Sequence, residues 1–201
     1  MSLFKRKPWT GKTELLFSDK ALTALILPLF LEQLLSVLVG LSDSIMVAQV
    51  GEAAVSAVSL VDSIAILLIN IFNALATGGA VVSGQYLGAK DKKMAAYAGR
   101  QMMQFMVWMS IAIMLLIYLG KYFILHTVFG SIEADVMANC NTYLLISAAS
   151  IPFLGVYCGG AALFRAMGNS KTSMYVSCIM NVINVSGNAI LVFGFHRGVE
   201  G

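Results

Sequence analysis

Long apolar runs recur along this chain, separated by short polar connections, and each is long enough to cross the ~30 Å core of a bilayer as a helix. They predict helices at about 21–48, 53–87, 99–120, 137–164 and 172–195, the first opened by a Ser18/Asp19 start signal. The second run is long enough to tilt or to project from the membrane. Only 11% of the 201 residues are charged, where soluble domains carry roughly 25%. The expected fold class is all-α: a polytopic membrane helical bundle of about five transmembrane helices. Around the bundle at 21–195 lie a basic tail, 1–20, and a Gly-rich turn, 196–201, after which another helix would be expected to begin. The chain therefore reads as an N-terminal portion.

Charge in the flanks orients the spans. Lys5, Arg6, Lys7, Lys12 and Lys20 precede the first helix, Lys90, Lys92, Lys93 and Arg100 follow the second, and Arg165 and Lys171 follow the fourth. That puts 11 of the 13 basic residues on one side; Lys121 and Arg197 fall opposite, among Glu52, Glu133, Asp135 and Glu200. The positive-inside rule makes the N-terminus cytoplasmic and the 196–201 turn extracellular. The basic start lacks the short apolar core and small-residue cleavage site of a signal peptide. Cys140, Cys158 and Cys178 are odd in number and form no CxxC pair, which argues for packing rather than zinc or disulfides.

Polar residues inside these runs are where function is expected. An Asp at the bilayer centre costs ~2.5–3.5 kcal/mol, so it should face other polar groups or water. Positions eleven apart on a helix differ by only about 20° in direction. Glu32, Ser36, Gly40 and Asp43 thus share a face of the first helix, and Asp62, Asn73 and Thr77 one of the second. Tyr143, Ser147, Ser150 and Tyr157 align on the fourth helix, and Ser177, Asn181, Asn184 and Asn188 on the fifth. Asp43 reads as an ion or proton site, against a structural hydrogen-bonded acid. For Asp62 the two readings balance, because it lies near the outer interface. Glu32 reads as a solvated group at a cavity mouth. The three asparagines are either interhelical glue, worth ~0.6 kcal/mol on average, or oxygen donors to a cation held by Asp43.

Pro28 removes a backbone hydrogen bond within the first helix and is either a hinge or a static kink. Gly78, Gly79 and Gly84 permit close helix packing. Met102, Met103, Met106 and Met109, at helical spacing, read as packing rather than as a ligand surface. His126 and His196 fall in outer loops without a neighbouring nucleophile, and no enzyme is expected.

The run "LPLFLEQLLSVLVGLSDSIMVAQVGEAAVSAVSL" resembles the first helix and following loop of the multidrug and toxic compound extrusion (MATE) family, in which a Pro precedes an Asp by fifteen residues, here Pro28 and Asp43. "GGAVVSGQYLGAKDKKMA", "LFRAMGNSKTSMY" and "NVINVSGNAILVFG" are similar to later segments of the same family, in the same order. The resemblance implies most of one six-helix lobe of a twelve-helix secondary transporter, with a central site between repeats. It implies a cell-membrane antiporter exporting drugs or organic cations in exchange for sodium or protons, with no cofactor. The partners implied are the substrate, the lipid bilayer and the missing C-terminal half, and no nucleic acid. The first-helix Asp and an Asn-x-x-x-Asp pair on the fifth helix form a cation or proton site in the family. The pair falls here on Asn184 and Asn188, so Asn188 departs from the carboxylate of some branches of the family, which removes a charge. Two alternatives stand beside this reading: a flippase for lipid-linked precursors built on related architecture, and a truncated fragment without independent transport.

Overall fold

The computed structural model describes residues 19–130 and 132–195. Most of the basic tail, through Ser18, and the 196–201 turn with His196, Arg197 and Glu200 lie outside the described residues. Five long helices carry the chain: α1 (Asp19–Ala48), α2 (Glu52–Gly88), α3 (Lys92–Phe123), α4 (Ala134–Ala166) and α5 (Ser170–Ala189). The third and fifth end in π-helical turns, Ile124–Val128 and Ile190–Gly194. All five are long and apolar enough to cross a membrane. At 37 residues, or about 55 Å at 1.5 Å per residue, α2 exceeds the ~30 Å core and must tilt or project.

Local chemistry explains the helix boundaries. α3 starts at Lys92, well before residue 99, because the Asp91 side chain accepts the Met94 amide at 3.0 Å and caps it. Lys92, Lys93 and Arg100, expected in a connection, therefore lie on a helix. Asn169 does the same for α5, accepting from the Thr172 amide at 3.3 Å. α4 closes through Gly168 at φ 75°, a left-handed position suited to glycine, with the Asn169 amide donating to the Phe164 carbonyl at 2.9 Å. α2 closes in the same way at Lys90, φ 63°, through the Asp91 amide and the Tyr86 carbonyl at 3.0 Å.

The helices sort into two groups. α2, α3 and α4 pack closely on one another, whereas α1 packs chiefly on α5 and touches the others sparsely. The tight group is built on small side chains and glycine. A Cβ added at Gly155 of α4 would stand 2.8 Å from the Ser110 Cβ of α3, and one at Gly159 2.8 Å from the Met103 sulfur. Among the glycines noted in the sequence, Gly79 gives close packing, since a Cβ there would collide with Met102. Gly78 does not, having open space within 4 Å; Gly84 meets Ala166 only at ordinary contact, 3.7 Å. Met102 and Met106 are buried in this core with Phe72, Ala76 and Cys140, and Met103 packs against it. Three of the four methionines of the stripe are packing.

The outer surface is apolar. Leu119 is 84% and Phe153 78% exposed, an arrangement that hydrocarbon solvates and water does not. α1 and α4 run on through their internal prolines, Pro28 and Pro152; Pro28 itself is buried.

Candidate functional site

Sparse packing of the α1–α5 pair on the other helices leaves room for polar groups, and Glu32 and Asp43 of α1 occupy separate cavities. The first, of about 310 Å³, is lined by Asp43 of α1, Asp62 of α2, Tyr143 of α4, and Asn184 and Asn188 of α5. Asn188 Nδ2 donates to Asp43 Oδ1 at 2.9 Å and to Asn184 Oδ1 at 3.5 Å. The Tyr143 hydroxyl donates to Asp62 Oδ1 at 3.1 Å. Each donor approaches a carboxylate from one side only. The Oδ2 atoms of both acids are left as oxygen donors, Asn184 Oδ1 keeps a second lone pair beside its contact with Asn188, and no Lys, Arg or His lines the cavity. Two carboxylates and a carbonyl oxygen with no basic side chain among them make a site that attracts positive charge, whether a hard metal ion, a proton or an organic cation.

The second cavity, of about 600 Å³, is centred on Glu32 and takes in Ser36, Asn73, Tyr157 and Arg165. Glu32 lines this cavity, and beyond the solvated group expected from the sequence it is a node joining three helices. Ser173 Oγ of α5 donates to Glu32 Oε1 at 3.1 Å and Oε2 at 3.0 Å, and the Tyr157 hydroxyl of α4 donates to Oε1 at 3.2 Å. Arg165 Nη1 stands 3.7 Å from the same oxygen. The carboxylate is paired because α4 and α5 both bring donors to the α1 face that carries it.

Sequence alignment of faces overstated what comes together. Asp62 and Asn73 share a direction on α2, but eleven residues of helix separate them by about 16 Å; Asp62 lines the first cavity and Asn73 the second. Glu32 and Asp43 are divided in the same way. On α5, Asn188 reaches Asp43 and Asn184 lines the same cavity in contact with Asn188, while Asn181 lines neither cavity and its Nδ2 is buried without a hydrogen-bond partner among the described residues. Ser177, on the same polar face of α5, is likewise buried and lines neither cavity. Tyr143 and Tyr157 lay on a recognised polar face, but their acid partners were not foreseen. Ser173 was missed, and Arg165 was counted only as loop charge. The available signal was the opposite charge of Glu32 and Arg165, which does not say that their helices approach. His126 lies in the π-turn after α3 and stacks on Tyr122, with ring centroids 4.2 Å apart.

A multi-pass helical membrane protein whose spans enclose two acid-bearing cavities is the class that this fold and this site define. The MatE family model matches residues 28–190, and the chain belongs to that family. It is 28% identical to the uncharacterized transporter YisQ of Bacillus subtilis over 87% of this chain and 38% of that protein. To the probable multidrug resistance protein NorM of Thermotoga maritima it is 22% identical over 96% of this chain and 41% of that one. A crystal structure of MATE in complex with MaL6 superposes with a TM-score of 0.85 at 18% identity, over 90% of this chain and 40% of the other. The chain thus spans about two fifths of the length of the relatives it matches.

Proposed function

We propose that this chain supplies one lobe of a secondary antiporter that exports small organic cations, drugs among them, in exchange for sodium or protons. The observation that carries the proposal is the Asp43–Asn188 hydrogen bond at 2.9 Å, set in a cavity that also holds Asp62 and no basic side chain. Family membership and the names of relatives such as NorM support drug export as the activity. The second lobe, which the relatives' extra length accommodates, completes the alternating-access pathway.

The coupling chemistry follows from donor and acceptor roles. While Asp43 is ionised, the Asn188 amide nitrogen donates to it, and a sodium ion or water satisfies the remaining oxygens. When Asp43 takes a proton it becomes a donor as well, and the Asn188 amide turns its oxygen inward to accept. That rotation gives up the Asn188–Asn184 contact and changes how α5 holds α1. Because α1 and α5 pack on each other and only sparsely on the remaining helices, they move as a pair, with Pro28 the place where α1 bends. Binding thereby biases a two-state equilibrium between lobe arrangements. The basic flanks orient the N-terminus toward the cytoplasm.

Asp43→Asn in a transporter carrying this lobe is expected to abolish gradient-driven efflux of an organic cation while membrane insertion is unchanged. Undiminished export by that variant rejects the role given to Asp43. A flippase for lipid-linked precursors would call for a cationic cavity, and the acidic wall around Asp43 and Asp62 argues against it.

A further inference from the structure

A third groove, of about 320 Å³, lies away from both polar cavities, where the ends of α2, α3 and α4 meet. Its wall is apolar, with Leu87, Ala96, Met103, Leu163 and Met167, and two cations, Lys92 and Arg100, stand on it. α3 supplies this pattern by periodicity: Lys92, Ala96 and Arg100 recur every four residues on one face, and Met103 follows a turn deeper. Small residues leave the trough open; even at Gly99 an added Cβ would reach Leu163 Cδ2 at 3.3 Å. The Ser83 hydroxyl, the polar group of the floor, is spent on the Ala95 carbonyl at 2.9 Å.

Both cations are exposed, and no described carboxylate lies within ion-pairing distance of either, the single described ion pair being Arg165–Glu32. The adjacent acid, Asp91, is engaged in capping Met94. Lys92 and Arg100 are about 12 Å apart along the helix axis, a span their long stems close as Arg100 extends toward the headgroup level. Lys90 and Lys93 add positive charge at the same end. An apolar trough running into the bilayer beneath paired cations complements an anion joined to an alkyl chain.

The geometry points to a binding site for an anionic phospholipid, its phosphodiester held between Lys92 and Arg100 and one acyl chain laid along Ala96, Met103, Leu163 and Met167. Basic pockets between transmembrane helices recognise anionic headgroups in this manner. The assignment is independent of the transport reading and involves none of its residues.

The test uses the full 201-residue chain in micelles doped with phosphatidylglycerol or phosphatidylcholine, with retained lipid read by native mass spectrometry. The wild-type chain is expected to retain phosphatidylglycerol in preference to phosphatidylcholine. The double variant Lys92→Gln/Arg100→Gln should lower phosphatidylglycerol retention about 25-fold, at roughly fivefold per cation. Ala96→Trp, which fills the trough and keeps both cations, should lower it as well. Lys121→Gln, at the far end of α3, should retain the wild-type preference. Equal retention of the two lipids by the wild-type chain overturns the proposal without recourse to any variant. So does wild-type retention by the double variant or by Ala96→Trp, a comparable loss in Lys121→Gln, or displacement of the lipid by millimolar inorganic phosphate.

Discussion

Replacing Glu32 with Gln preserves the side chain's shape while removing its charge and converting one acceptor oxygen into a donor. Ser173 donates to both oxygens, at 3.1 and 3.0 Å, and Tyr157 donates to Oε1 at 3.2 Å. Whichever oxygen becomes the amide nitrogen, a hydroxyl then faces a donor, and a hydrogen bond to a charged group is worth ~1.5–3 kcal/mol. Arg165 also loses its counter-charge at 3.7 Å. Removing one partner of a fully buried pair costs ~3–5 kcal/mol. Here the side chains are 29% and 14% exposed, so solvent screening brings this contribution down to ~1 kcal/mol. The expected destabilisation is ~2.5–4 kcal/mol by summing those two effects. Reversible unfolding of the chain in bicelles measures it, and cycles pairing Glu32→Gln with Arg165→Gln and with Tyr157→Phe apportion it. The Arg165 cycle should return a coupling of ~1 kcal/mol. A cost below ~0.5 kcal/mol, the range of an ordinary surface substitution, with no coupling in either cycle, would refute the view of Glu32 as the tie between α1, α4 and α5.

Two further outcomes follow from packing and capping. Gly155→Ala should destabilise the bundle by ~1–3 kcal/mol through overpacking, because its Cβ would meet the Ser110 Cβ at 2.8 Å and the Met106 carbonyl oxygen at 3.2 Å. Gly78→Ala should be neutral within ~0.5 kcal/mol, its surroundings being open; both are read by the same unfolding measurement, and equal effects would refute the packing account. Asp91→Ala should cost ~1 kcal/mol through loss of the α3 cap, and hydrogen exchange should then speed up at the Met94 amide and the first turn of α3.

Much of this molecule could be read from the order of its residues. Apolar length alone determined that the chain crosses a bilayer as helices, because lipid offers no partner to an unpaired backbone, and the described residues contain five such helices and no strand. Periodicity likewise determined that Asp43, Asn184 and Asn188 lie on polar faces, since a helix repeats its direction whatever surrounds it. Only tertiary packing decided which faces meet, and at what depth. Angular alignment carries no information about distance along the axis, so Asp62 and Asn73 were grouped although they open into different cavities. The same blindness joined Asn181 to its neighbours and left Glu32 without Ser173, Tyr157 and Arg165. Those partners come from α4 and α5, more than a hundred residues away in the chain, and only the way the α1–α5 pair leans on the other helices brings them to one carboxylate.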